Sequence, residues 1–149
     1  MKCEIMNLKE IKNIGFVGLG VMGSPMCKNL LKNKKWHIIV NDLDNSKEKE
    51  LEKNGASIAN NLNELYNVAD VIITCLPGGD FVKEIYLGEK KIVSEINPDK
   101  LIIDMSTSQP DLMIELNKLI EKQGSFFADA PIARTCLLYT SDAADELSC

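Results

Sequence analysis

The chain has 149 residues, 45% of them hydrophobic and 26% charged, with a net charge of −5. That length holds one ordinary domain with a real core, and an acidic balance without a basic patch excludes a nucleic-acid footprint. No apolar run approaches the ~18–20 residues of a membrane span. The opening "MKCEIMNLKEIKN" lacks the apolar stretch of a secretory signal, so the expected location is cytoplasmic. The five cysteines, Cys3, Cys27, Cys75, Cys136 and Cys149, form no CxxC and sit in no cluster with histidine. That spacing excludes a zinc site or a redox pair and points to free thiols in a reducing compartment.

Short apolar runs alternate with amphipathic stretches, the mark of βαβ units on a parallel sheet. "NIGFVG", residues 13–18, predicts a central first strand, apolar throughout. "GSPMCKNLLKN" predicts a helix, with Pro25 in its first turn and Met26, Leu30 and Leu31 at helical spacing. "HIIVND", residues 37–42, is the second strand. Asn45 with Glu48 three residues on reads as a capping box for the next helix, and Asn54-Gly55 ends it. "ASIA" is a short third strand. Asn61 and Glu64 form a second capping box, opening the helix "LNELYN". "DVIITCLP" is the fourth strand, "DFVKEIYLG" a helix and "KLIIDMS" the fifth strand. "QPDLMIELNKLIEKQG" is a helix, with Ser108 the residue best suited to cap it, and "SFFADAP" is the sixth strand. The expected fold class is α/β, a Rossmann-like doubly wound and mostly parallel sheet.

Gly18-x-Gly20-x-x-Gly23 directly follows the first strand and opens a helix. The first glycine permits a tight turn, the second lets a pyrophosphate approach the backbone, and the third lets the helix pack on the sheet. Free amides and the positive helix end then face the phosphates. Asp42 ends the second strand 24 residues after Gly18, near the spacing of a ribose contact. A carboxylate there repels a 2′-phosphate, and Leu43 follows it rather than an arginine, so NAD is expected over NADP. A purely structural turn, or the loop of an S-adenosylmethionine-binding methyltransferase, would use similar glycines. His37 begins the second strand, far from this turn, and no catalytic role is expected for it.

Four stretches resemble one family, in order and from about Ile14 to Thr135. "GFVGLGVMGSPMCKNL" resembles the opening of the β-hydroxyacid dehydrogenases. That family includes 3-hydroxyisobutyrate dehydrogenase, tartronate semialdehyde reductase and the cofactor domain of 6-phosphogluconate dehydrogenase. "VIITCLPGG" is similar to the family's strand-four signature, "IIDMSTSQP" to its strand-five motif, and "DAPIART" to its substrate loop, D-A-P-V-S-G-G. The resemblance implies cofactor contacts at Gly18, Leu19, Gly20, Val21, Met22, Gly23, Asp42, Leu76, Pro77 and Thr107. It implies substrate contacts at Ser106, Ala133, Arg134 and Thr135. The chain departs from the family where Ser-Gly-Gly becomes Ala133-Arg134-Thr135. Arg134 offers a planar fork suited to a carboxylate, sulfonate or phosphate.

The implied function is the cofactor-binding domain, residues 1–135, of an NAD(P)-dependent oxidoreductase. Its substrate would be a small β-hydroxyacid or semialdehyde, and the parent enzyme would be a homo-oligomer. An imine or glyoxylate/succinic semialdehyde reductase of the same superfamily, or a dinucleotide-binding module without chemistry, are the alternatives. In the family, a helix after the substrate loop carries a lysine that acts as general acid, and an all-helical domain follows. Nothing after Thr135 resembles that helix. "CLLYTSDAADE", residues 136–146, instead resembles the translation of a transposon-end sequencing adapter. Residues 136–149 are therefore expected to be an artefact without fixed structure. Three acidic residues lie in that tail, so residues 1–135 carry a net charge of −2. No catalytic residue is expected in this chain, its C-terminal helical domain is expected to be missing, and the fragment is expected to be inactive.

Overall fold

The computed structural model describes residues 11–89 and 92–132. The strands are β1 (Asn13–Val17), β2 (His37–Asn41), β3 (Ser57–Ile58), β4 (Val71–Thr74), β5 (Leu101–Asp104) and β6 (Phe126–Asp129). The helices are α1 (Gly23–Leu31), α2 (Asn45–Lys53), α3 (Leu62–Val68), α4 (Gly79–Leu87) and α5 (Pro110–Lys122), with a 3-10 turn at Ile92–Glu95. The six strands lie in the order β3-β2-β1-β4-β5-β6 and every neighbouring pair is parallel. This is the doubly wound sheet expected from the alternating pattern. Ala133, Arg134 and Thr135, and the tail 136–149, lie outside the described residues.

Side-chain alternation along the strands separates two cores. Ile14 and Phe16 of β1, Ile38 and Val40 of β2, and Val71 of β4 pack with Cys27 and Leu51 of α1 and α2. Val17, Ile39, Ile72 and Ile102 face the other way, onto Leu65, Tyr66, Val82, Tyr86, Leu116 and Ile120 of α3, α4 and α5. Successive strand residues point to opposite faces, so strands covered by helices on both sides read as continuous apolar runs. At the amino end of the sheet, Asp70 Oδ2 accepts from the Lys12 and Asn13 amides at 2.9 and 2.8 Å. Lys100, 8% exposed, donates from Nζ to the Asn67 and Ala69 carbonyls at 2.8 and 2.7 Å, satisfying the open end of α3.

The helix starts depart from expectation at three places. The cap of α2 is Asp44 rather than Asn45, because the Asp44 carboxylate reaches both the amide and the hydroxyl of Ser46. Those bonds hold the Asp44 carboxyl below its usual range. Glu48 is thereby freed from a capping box and turns inward. At α3, Asn61 does accept from the Glu64 amide, but Glu64 returns its bond to Asn60, one residue earlier. At α5 the cap position is Gln109, without a side-chain bond. Pro110 forces the residue before it into extended backbone, which leaves Ser108 one residue too early; its Oγ is buried without a partner.

Gly15 provides a test of the packing on the α3 side. A Cβ there would lie 2.5 Å from Leu65 Cδ2. Gly15→Ala is expected to cost ~1–3 kcal/mol in urea unfolding by overpacking, and Leu65→Ala ~2–5 kcal/mol by cavity formation. The double variant should cost clearly less than the sum, since one change makes room for the other. Additive costs would show that the two positions do not meet.

Candidate functional site

β1 lies between β2 and β4, so the chain leaves it and its neighbour on opposite sides of the sheet. Sheets of this order open a crevice at the carboxyl ends of the strands there. The turn after β1 fills its floor. Gly18 has φ +92°, and a Cβ on it would strike the carbonyl oxygen of Cys75, just past β4. A Cβ on Gly23 would strike the carbonyl oxygen of Gly18. Both positions therefore admit no side chain. Gly20 differs: a Cβ there meets nothing within 4 Å. No side chain caps the start of α1, and the amides of Gly20, Val21 and Met22 have no acceptor among the described residues. An open surface lined by free N–H groups at a helix start fits a pyrophosphate.

Asp42 lies beside this turn. Its Oδ2 accepts from the Leu19 amide at 2.5 Å and its Oδ1 from the Asp44 amide at 2.8 Å. Its side chain is 13% exposed, and Lys47 Nζ stands 3.9 Å from Oδ1 and 3.8 Å from Asp44 Oδ2. Glu48, buried at 6% exposure, accepts from the Asp42 amide at 2.9 Å and from Asn41 Nδ2 at 3.4 Å. Glu48 was not among the residues expected at the site. Its signal was spacing: it sits three residues before buried Leu51, on the same helix face. Val21 and Leu43 project on either side, 89% and 99% exposed.

The exits of β4 and β5 close the other half of the crevice. Thr74 Oγ1 donates to Asp104 Oδ1 at 2.5 Å, and Ser106 Oγ donates to the same oxygen at 2.7 Å. Ser106 Oγ in turn accepts from the Leu76 amide at 3.0 Å. The structure places Ser106, expected from the resemblance to meet substrate, beneath the crevice surface. Its one hydroxyl proton goes to Asp104, and the residue is 2% exposed. Leu76 is half-buried, while Pro77 and Thr107 face solvent. The Ala130 amide donates to the Asp104 carbonyl at 2.8 Å and the Ile132 amide to that of Met105 at 3.3 Å. Those bonds hold residues 130–132 beside the exit of β5. Asp129 is paired with Asp104 in the strand register, and burial together with the Asp104 charge raises its pKa. Burial, then Asp104, also raises the Cys75 thiol. His37 lies at the amino end of β2, with Nε2 2.8 Å from Ser57 Oγ.

Comparison with known proteins agrees with this geometry. Residues 13–136 match the family model of the NAD binding domain of 6-phosphogluconate dehydrogenase. The mitochondrial 3-hydroxyisobutyrate dehydrogenase of Mus musculus is 39% identical over 120 residues, 80% of this chain and 36% of that protein. The 3-sulfolactaldehyde reductase of Escherichia coli (strain K12) is 38% identical over 125 residues, 82% of this chain and 41% of that protein. The solved 3-hydroxyisobutyrate dehydrogenase of Mycobacterium tuberculosis, with L-serine, superposes with a TM-score of 0.73 at 30% identity, covering 83% of this chain and 41% of that one. The chain thus spans about two fifths of the length of the relatives it matches. A glycine turn open at Gly20, an acidic strand end beside it and these matches together place the chain in the β-hydroxyacid dehydrogenase family, as its NAD(P)-binding domain.

Proposed function

We propose that this domain binds NAD in preference to NADP and serves a dehydrogenase that moves hydride to or from a small acidic carbonyl compound. The observation that carries the reading is the uncapped start of α1, with Gly20 open above it. The pyrophosphate would rest on the amides of residues 20–22, with Leu19 and Gly23 framing the turn. Asp42 would hold the ribose hydroxyls. Among the described residues the cation within 4.0 Å of Asp42 is Lys47, and Asp44 shares it. A 2′-phosphate would therefore meet a carboxylate with little to offset it. Leu76, Pro77 and Thr107 would border the nicotinamide. The bound cofactor supplies the hydride chemistry; the residues of this chain bind and orient it.

The substrate class is a small β-hydroxyacid or its semialdehyde. It is supported by the family and by the planar guanidinium of Arg134, which suits an acidic group. An imine or glyoxylate/succinic semialdehyde reductase of the same superfamily is the second reading. A cytosolic location completes the proposal, since the free thiols Cys27 and Cys75 suit a reducing compartment. Among the described residues no helix is long and apolar enough to cross a membrane.

Fluorescence titration of the 149-residue chain tests the cofactor assignment. NADH should bind saturably and NADPH at least about tenfold more weakly, a difference of ~1.4 kcal/mol. Gly20→Val should keep the fold, because its side chain enters open space, and should abolish binding. Equal affinity for both dinucleotides, or unchanged binding by the variant, would contradict the assignment. In a spectrophotometric assay with NAD and 3-hydroxyisobutyrate, the 149-residue chain alone should show no turnover, since it spans about two fifths of its relatives' length; measurable NADH production would overturn that. In a full-length parent enzyme, Arg134→Ala should raise KM for an acidic substrate with little change in kcat. An unchanged KM would remove Arg134 from the substrate site.

A further inference from the structure

We propose that Asp104 is a positioning residue that locks the loops after β4 and β5 to each other, and so sets the nicotinamide half of the crevice. The inference rests on the cofactor reading above. Asp104 and Thr74 have no exposed surface and Ser106 has 2%. One carboxylate oxygen, Asp104 Oδ1, gathers a hydroxyl from the end of β4 and one from the loop after β5: Thr74 at 2.5 Å and Ser106 at 2.7 Å. Ser106 relays the contact to the Leu76 amide at 3.0 Å. Pro77 follows Leu76, and Thr107 follows Ser106. Both solvent-facing residues of this half of the crevice therefore sit one residue from a hydrogen bond that traces back to Asp104.

This arrangement is costly as a means of stability alone. Asp104 Oδ2 is buried without a partner, and a buried oxygen in that state is unfavourable. The buried Tyr66 and Tyr86 hydroxyls feel the same carboxylate: burial first, and the Asp104 charge with it, push both pKa values up. An apolar side chain at the end of β5 would avoid these costs. What it could not supply is one acceptor shared between the end of β4 and the loop after β5. Ser106 then acts through its acceptor lone pair on Leu76.

Binding of NADH and of ADP-ribose, which lacks nicotinamide, separates the two halves of the crevice. In the unaltered chain NADH should bind more tightly than ADP-ribose. Asp104→Ala should weaken NADH by at least about tenfold and change ADP-ribose by less than about twofold. Asp104→Asn keeps the Oδ1 acceptor and should leave both ligands within about threefold of the unaltered chain. Ser106→Ala leaves the carboxylate in place, removes the acceptor for Leu76, and should follow Asp104→Ala; it also covers the case in which that variant fails to fold. The proposal is overturned if Ser106→Ala binds NADH normally, if both ligands weaken alike, or if Asp104→Asn is as damaging as Asp104→Ala. It is likewise overturned if the unaltered chain binds the two ligands equally. Failure of the unaltered chain to bind either ligand would instead sink the cofactor reading itself.

Discussion

The backbone after β1 folds so closely on itself that the structure allows no side chain at two of its positions. The Gly18 carbonyl lies against the Cα of Gly23, and the Cys75 carbonyl lies against that of Gly18. The first approach brings the start of α1 up to the sheet. The second packs the exit of β4 against the same turn. Everything that gives the site its shape follows from these two contacts. The helix start points across the strand ends, its first amides stay free, and the neighbouring loop is near enough to frame the same ligand. A methyl group at either glycine would push these elements apart before any ligand arrived.

Three carboxylates brace this turn and its surroundings, and each acts by accepting bonds from the chain. Asp42 takes the Leu19 amide, Glu48 takes the Asp42 amide, and Asp104 takes the two hydroxyls that lead to Leu76. The order runs from β2 across β1 to β5, along the carboxyl edge of the sheet. In each case an acceptor is fixed against a loop that would otherwise rely on weaker packing. Asp42 is the one of the three with surface to spare, at 13% exposure of its side chain. It is suited both to hold the turn and to meet a ligand. Glu48 and Asp104 are enclosed and can act only on their neighbours.

Most of the fold was legible in the chain because it rests on local rules. The apolar runs at residues 14–17, 38–40 and 71–73 mark buried parallel strands, and glycine spacing marks the turn between β1 and α1. What escaped reading depends on where side chains point after folding. Asn45 and Glu48 have capping-box spacing, yet Asp44 competes successfully for the helix start and Glu48 turns to β2. Ser106 looks like a free hydroxyl in sequence, but Asp104 two residues earlier claims its proton. The three-residue gap between Glu48 and Leu51, and an acid closing the apolar run "LIID", are the signals in the chain; the bonds those acids accept form only once the sheet is assembled.

On the proposed reading, the glycine turn, Asp42 and the exits of β4 and β5 form one dinucleotide surface. Amide chemical shifts of the isotopically labelled chain, recorded as NAD is added, test it most directly. The largest changes should fall on residues 18–23, on Asp42 and Leu43, and on Leu76 and Thr107, with the amino ends of the strands, His37 and Lys100 included, left unmoved. Shifts centred on the amino edge or on the outer faces of α1 and α5, or no shifts at saturating NAD, would contradict it.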